Sequence, residues 1–407
     1  MTEAARTPPT ALFAHRPFLY YLATRSGAEI SSQVAAVAIG WHVYALTHSA
    51  LALGLVGLVQ FLPTLLLIFV AGHVADHADR RRIVQLCELA CAATALLLAW
   101  GSFAGWLTQV HLYLAVVVFG TADAFESPAI AALLPAVAPA GQVQRATAAA
   151  TGVFQVAMIT GPALGGFAAA LSTGVPYVLM AACSGMAAIL CMAMPRPPAL
   201  AEEAAPDRAS VFAGISFVRR HPAILGTISL DLFAVLLGGA TALLPIYARD
   251  ILHTGAWGLG MLRSAPAIGA LLMSALLARH AIARRAGLKM FVAVIIFGLA
   301  TIVFAVSRSI ALSLLALAVL GAADTVSMVI RIALVQLATP DAMRGRVGAV
   351  NYLFVNASNQ LGQFESGLTA AFLGAMPAAL LGGVGTVLVA LLWMKLFPAL
   401  RTLERLE

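Results

Sequence analysis

Residues 51–82 read LALGLVGLVQFLPTLLLIFVAGHVADHADRRR. From Leu51 to Ala71 only Gln60 and Thr64 carry polar side chains. About 20 apolar residues in a helix span the hydrocarbon core of a bilayer, roughly 30 Å thick. The run then breaks into a polar loop and ends on Arg80, Arg81 and Arg82. Clustered arginines beside a span hold their loop on the cytoplasmic side. The stretch therefore reads as one membrane crossing and the inner loop that follows it.

The rest of the chain is built the same way. Of its 407 residues 61% are hydrophobic and 10% charged, with a mean hydropathy of +0.95. Soluble chains average about 45–50% apolar and about 25% charged. A cytosolic enzyme, a disordered chain and a nucleic-acid binder are thereby excluded, although the net charge is +7. The four cysteines (Cys87, Cys91, Cys183, Cys191) sit in apolar runs without metal-ligand or paired-loop spacing. Neither a disulfide framework nor a zinc site is expected, and no cofactor is.

Twelve apolar stretches fit crossings, near 18–46, 51–71, 83–104, 110–135, 146–171, 175–194, 222–247, 255–278, 287–306, 309–337, 346–373 and 376–397. The first carries Arg25 and Glu29 and lacks a small-residue cleavage site, so it is not a signal peptide. Nineteen of the 24 Lys and Arg residues fall in loops and tails on one side, Arg249 and Arg308 on the other, and Arg25, Arg263 and Arg331 within spans. That bias places both termini in the cytoplasm. The +7 then reports topology and contact with an anionic inner leaflet.

The longest polar stretch, 195–221, divides the chain into an N-terminal half (1–194) and a C-terminal half (222–407). From Ser210 it carries Val211, Phe212, Ile215 and Val218 at helical spacing, which suits a short interfacial helix. The halves repeat one another. At an offset of 201, Gly120, Ala122, Asp123, Pro139, Arg145 and Ala148 fall on Gly321, Ala323, Asp324, Pro340, Arg346 and Ala349, and Gly161 and Gly166 on Gly362 and Gly367. At 203, Tyr44 and Pro63 fall on Tyr247 and Pro266. Parallel six-helix repeats are one way that secondary transporters are built, with substrate held between the halves at mid-membrane.

Three groups of residues carry a family resemblance. In GHVADHADRRR, residues 72–82, the spacing of Gly72, Asp76, Arg80 and Arg81 resembles the loop 2–3 signature of the major facilitator superfamily. There it latches the two halves on the cytoplasmic side. Gly72 suits close helix packing and Asp76 suits a helix N-terminus, whose partial positive charge favours an anion. GPALGG at 161–166, with Gly161, Pro162, Gly165 and Gly166, resembles the helix 5 signature of that superfamily's antiporters, which are mostly exporters. WHVYALTHSALALGLVGL at 41–58, TPDAMRGRVGAVNYLF at 339–354 and GQFESG at 362–367 resemble the bacterial branch that contains enterobactin exporters and related efflux proteins. The resemblance implies an all-α membrane protein of twelve transmembrane helices in two pseudo-symmetric six-helix halves, in the bacterial inner membrane. It also implies a monomer. The sequence departs from proton-coupled drug exporters in helix 4, where LYLAVVVFGTADAFESPA has Asp123 and Glu126 but no early Arg.

Charges inside spans are costly and mark function by default. They are taken here as Arg25, Glu29, Asp123, Glu126, Asp231, Arg263, Asp324, Arg331 and Glu365. Asp123 and Glu126 lie three apart, so two like charges share one helix face and suit proton uptake and release; Glu29 is their expected partner. Arg25 and Glu29, four apart, are spaced to pair with each other. Arg25, Asp231, Asp324 and Arg331 are read as substrate contacts, together with a polar stripe of Asn356, Asn359, Gln360 and Gln363 on span eleven. No G-x-x-x-x-G-K-[ST] loop is present, so ATP is not the energy source, and no H-E-x-x-H or G-x-S-x-G supports an enzyme. The expected function is export of a small amphipathic molecule, a siderophore-like anion, against inward proton flow. Efflux of neutral or cationic drugs such as macrolides is the alternative, and a non-transporting sensor or lipid-handling protein on the same fold is the alternative from another class.

Overall fold

The computed structural model describes residues 10–139, 141–194, 216–280 and 285–401. Twelve long helices account for nearly all of them. They are α1 (Arg16–Thr47), α2 (Ala50–His77), α3 (Arg80–Ala104), α4 (Gln109–Val137), α5 (Val143–Leu171), α6 (Val175–Ala193), α7 (Pro222–Ile251), α8 (Gly255–Arg279), α9 (Ala286–Val306), α10 (Ile310–Ala338), α11 (Asp341–Leu373) and α12 (Ala375–Leu396). Ten are long and apolar enough to cross a membrane. The other two, α1 and α11, are longest at 32 and 33 residues and carry more polar side chains. No strand occurs among the described residues, as lipid demands of a segment that must satisfy its own backbone.

Short turns join the helices, and their chemistry is local. Asp79 caps α3 by accepting from the Arg81 N–H at 3.0 Å. Ser49 caps α2 from the Ala52 N–H at 3.3 Å. Gly105 ends α3 with φ +75°, a conformation that favours a residue without Cβ. Helix α7 is irregular. It is α-helical over Pro222–Leu237, breaks at Gly238 and Gly239, and continues as a 3-10 turn (Ala240–Leu243), one α turn and a π turn (Tyr247–Ile251). The glycine pair and Pro245 explain the break, since proline removes a backbone donor.

Packing follows the sequence repeat. Helix α1 packs on α5 and α6, α2 on α4, and α3 on α4 and α6. Six helices later, α7 packs on α11 and α12, α8 on α10, and α9 on α10 and α12. The halves meet along two seams, α5 with α8 and α2 with α11, which the repeat exchanges. Of the linker, 216–220 is helical. There Val218 is buried with Ile224, Ile228, Val347 and Val350. Val211, Phe212 and Ile215 lie outside the described residues.

One end of the bundle carries the basic loops, and the two ends are packed differently. At the opposite end a single apolar cluster spans both halves, joining Val37, Tyr44, Leu53 and Tyr177 to Leu244, Tyr247 and Phe304. Toward the basic end the clusters belong to one half each. Phe18, Tyr21, Val84, Leu133 and Met194 form one; Leu230, Met290, Phe291 and Ile330 another. The halves are thus zipped at one end and separately cored at the other.

Candidate functional site

A cavity of about 280 Å³ lies between the halves, bounded by α1, α2, α3, α4, α6, α7, α8 and α11. Its N-terminal wall carries Glu88, Asp123 and Glu126, with Ser31, Ser32, Gln33, Gln60 and Ser184. Its C-terminal wall carries Arg263, Gln360, Gln363 and Thr241. Phe119 is the one aromatic among its lining residues. Thr241, Ala242 and Pro245 come from the irregular part of α7, so the non-helical backbone is spent where it lines a cavity rather than facing lipid.

The expected proton carriers come together. The Glu126 carboxyl lies within interaction range of Asp123 and Glu29. Glu29 accepts from Gln33 Nε2 at 2.8 Å, and Gln33 is also 3.0 Å from the Met158 sulfur. Glu88 of α3 lines the same cavity as Glu126, and Glu88 Oε2 and Glu126 Oε1 are buried without a hydrogen-bond partner. Glu88 is 2% exposed. It is missing from the in-span charges read from sequence, although it lies within 83–104. Arg80–Arg82 shortly before it make that end of the helix read as a loop edge, yet Glu88 stands eight residues into α3, about 12 Å at 1.5 Å per residue. Applied strictly, the rule for charges within a span would have found it.

The expected substrate contacts do not form one site. Arg331 of α10 forms an ion pair with Asp231 of α7, and its other guanidinium nitrogen is 3.8 Å from Asp324. This cluster borders a separate small void beside Val294 and Phe297. None of the three residues lines the main cavity. Arg25 also points elsewhere: it donates to Tyr21 Oη at 3.4 Å and lies 5.4 Å above the Phe154 ring. The spacing of Arg25 and Glu29 yields no ion pair among the described residues. Arg263, by contrast, donates across the halves to the Ala36 carbonyl at 3.3 Å and lines the cavity.

The polar stripe of α11 divides. Gln360 and Gln363 face the cavity, while Asn359 is exposed and donates to its own helix at Val355, 2.9 Å away. Asn356 is half-buried and is not among the lining residues. Glu365 accepts from Thr369 at 2.8 Å, one turn along the same helix.

The GPALGG glycines serve packing. A Cβ at Gly161 would stand 2.5 Å from the Gln33 Cβ, and one at Gly165 3.1 Å from the Val34 Cα, so both seat α5 on α1. Gly166 meets the other half: its Cβ would stand 2.6 Å from the Gly260 Cα. Pro162 lies within an unbroken α5. In the loop signature, Arg80 donates to the Ala75 carbonyl at 3.1 Å, and Arg81 to Met192 and Met194 of α6. The hydrogen bonds of both arginines described here stay within their own half. A Cβ at Gly72 would meet nothing within 4 Å, so this glycine is not used for close packing in the state seen here. Asp76 lies in α2, but its side chain is outside the described residues; the cap expected of it is made by Asp79.

At the end away from the basic loops, Tyr44 of α1 donates to the carboxylate of Asp250 in α7. The Arg249 guanidinium lies 5.9 Å from the centre of the Tyr44 ring. No group of His, Cys, Asp and Glu suited to a metal ion occurs among the described residues.

Comparison with known proteins agrees with this architecture. A family model described as Major Facilitator Superfamily matches residues 24–363. The multidrug efflux pump Tap of Mycolicibacterium fortuitum is 28% identical over 398 residues, covering 91% of this chain and 95% of the pump. The enterobactin exporter EntS of Citrobacter koseri is 24% identical over 392 residues, covering 96% and 94%. Among solved structures, a variant of the nucleoside transporter NupG superposes with a TM-score of 0.76 at 15% identity, covering 94% of this chain and all of that one. A bacterial homologue of the human lysosomal transporter Spinster, inward-facing and unoccupied, superposes with a TM-score of 0.75 at 14% identity over 95% and 97%.

Proposed function

This chain belongs to the Major Facilitator Superfamily, and from that premise we propose that it exports a small amphipathic cation or neutral molecule in exchange for protons, by alternating access. The observation that carries the reading is the composition of the cavity between the halves. Three carboxyls, Glu88, Asp123 and Glu126, face one guanidinium, that of Arg263, with amides and hydroxyls between them. Carboxyls there attract a positively charged substrate and carry protons, the two tasks an antiporter must link.

The basic end of the bundle is the cytoplasmic one, by the bias of lysines and arginines toward that side. Both termini then lie in the cytoplasm, and the zipped end faces out. The described state is accordingly closed outside, with its halves separately cored toward the cytoplasm. Opening to the outside requires the seams at Gly166 and Gly367 to part.

The anionic, siderophore-like substrate is the second reading, favoured by the likeness to an enterobactin exporter. It is weaker on geometry. Two of its intended cations are engaged elsewhere, Arg331 by Asp231 and Asp324, and Arg25 by Tyr21 and Phe154. Everted membrane vesicles separate the readings. Respiration acidifies their interior, and an acridine dye reports the pH difference. Ethidium is expected to collapse part of that difference only in vesicles holding this protein. No response to cationic, neutral or catecholate compounds would sink proton antiport, and a response to catecholates alone would restore the anionic substrate.

A further inference from the structure

We propose that the N-terminal wall of the cavity is a head-group subsite for a cation that carries N–H hydrogens, an ammonium or a guanidinium, which takes the place that a tethered arginine fills in the C-terminal half. The proposal rests on the cation reading of the cavity above and narrows it: a quaternary ammonium of equal charge falls outside the class.

The sequence repeat carries the small void of the C-terminal half onto that wall. Ala323, Asp324 and Ser327 of α10 line the void, and their mates 201 residues earlier, Ala122, Asp123 and Glu126, line the main cavity. At an offset of 203, Ala234 and Val235 of α7 fall on Ser31 and Ser32 of α1, and Val294 of α9 falls on Cys91 of α3, all of them cavity residues. Asp231 falls on Ala28, which also lines the cavity, one place before Glu29. Phe297 alone falls off it, on Thr94. One piece of architecture is thus used twice. In the C-terminal half it holds Arg331, which pairs with Asp231 and lies 3.8 Å from Asp324. The mate of Arg331 is Ile130, while Ser327 and Phe291 become Glu126 and Glu88. The N-terminal copy therefore gains acids and loses the cation. No ion pair among the described residues involves Glu88, Asp123 or Glu126.

The head group must bring hydrogens of its own. Carboxylate and amide oxygens accept hydrogen bonds and do not donate them. Glu88 Oε2 and Glu126 Oε1 on this wall, and Gln360 Oε1 across the cavity on α11, are buried without a partner in the protein. Water satisfies such oxygens in an open cavity, and a ligand that displaces it loses affinity unless it replaces those bonds. Donors beside the acids are turned elsewhere. Ser184 donates to Ser31 at 2.9 Å and Ser31 to the Met180 carbonyl at 3.3 Å. Both amide hydrogens of Gln33 are taken, by Glu29 at 2.8 Å and the Met158 sulfur at 3.0 Å. An ammonium or a guanidinium supplies several N–H hydrogens, whereas a quaternary ammonium supplies none. Quaternary cations are held instead by cages of aromatic rings, and Phe119 is the one aromatic among the lining residues.

The test uses four probes that share a naphthylmethyl body and differ in the head: ammonium, guanidinium, trimethylammonium and the uncharged alcohol. Equilibrium dialysis with the purified full-length protein in detergent, blanked with protein-free micelles, reads each dissociation constant. The ammonium and the guanidinium are expected to bind at least about tenfold more tightly than the trimethylammonium, the worth of one hydrogen bond to a charged group. Glu126→Gln should shrink that preference. Ile130→Arg, which installs the arginine of the C-terminal half at its mate position, should weaken both N–H cations toward the alcohol. Ile130 is buried, so thermal unfolding checks that variant, and Glu126→Gln carries the test if it fails to fold. Equal binding of ammonium and trimethylammonium, both tighter than the alcohol, overturns the subsite and leaves the cation reading standing. A preference unchanged in Glu126→Gln also overturns it, since the head group then sits off this wall. Absence of any preference for a cation over the alcohol refutes the cation reading itself.

Discussion

Gly166 of α5 and Gly260 of α8 stand backbone to backbone across the seam between the halves, with room for no side chain at either. Each has a repeat mate at the other seam. Gly367 of α11, 201 residues after Gly166, lies against Gly54 of α2, and Gly57 of α2, 203 residues before Gly260, lies against Gln360 and Gln363. Small residues that let backbones approach are how helices hold together in lipid, where burial of apolar surface gives no advantage. Toward the basic end of these helices the arrangement changes: a Cβ at Gly72, Gly152 or Gly348 would meet nothing within 4 Å.

Gly166→Val is therefore expected to prise α5 from α8 and to bias the protein toward the state open at the end away from the basic loops. Spin labels at Thr173 and His253, in a background without the four native cysteines, read the separation by electron–electron resonance. The distance distribution should move to longer values than in the parent. Gly367→Val, its mate, should do the same with labels across the α2–α11 seam. If only one of the two variants opens its seam, the symmetry of the closure is wrong.

Tyr44 and Asp250 close the same end at the rim. A hydrogen bond to a charged group is worth about 1.5–3 kcal/mol when shielded, and Asp250 is exposed, so about 1 kcal/mol is the fitting magnitude here. That is roughly fivefold in the balance between closed and open states. Tyr44→Phe and Asp250→Asn should each shift the resonance distances by that amount. The double variant should do no more than either single change, and additive effects would dissolve the pair.

Arg331 was expected among the substrate contacts and lies instead in an ion pair with Asp231. Removing one partner of a buried pair leaves an uncompensated charge, at about 3–5 kcal/mol. Arg331→Met should thus lower the unfolding temperature sharply, and Asp231→Asn in the same chain should restore much of it. A substrate contact would behave differently. Efflux would fall without loss of stability, and Asp231→Asn would rescue nothing.

What was legible in the sequence follows from its physics. The apolar runs, the side bias of the arginines and the 201-residue repeat are one-dimensional signals, and the helix order, the pairing pattern and both seams follow them. In-span charge located Asp123, Glu126 and Glu29 near one another for the same reason. Partner choice is not one-dimensional. Whether Arg331 faces a cavity or a buried aspartate depends on the rotation of α7 against α10, which spacing along one helix does not encode. The stripe on α11 divided because four positions at three- and four-residue spacing cover more of the helix surface than the one cavity touches. Glu88 was hidden by its neighbours in sequence, three arginines that belong to the loop.

Asp123 offers the sharpest test of what the cavity accepts. It is exposed and lines the cavity, on the same helix face as Glu126, so its carboxylate can meet a substrate. A hydrogen bond to a charged group is worth about 1.5–3 kcal/mol, which is about tenfold or more in affinity. Asp123→Asn keeps the shape and removes the charge. Half-saturating ethidium in efflux assays should rise by about that factor, while a neutral macrolide of similar size should lose far less. Because protonation also removes the charge, acid on the cytoplasmic side should weaken ethidium export in the parent and have less effect in Asp123→Asn. An equal loss for the cation and the neutral compound would mean that Asp123 serves the proton or the fold, and that the cavity selects its substrate by shape alone.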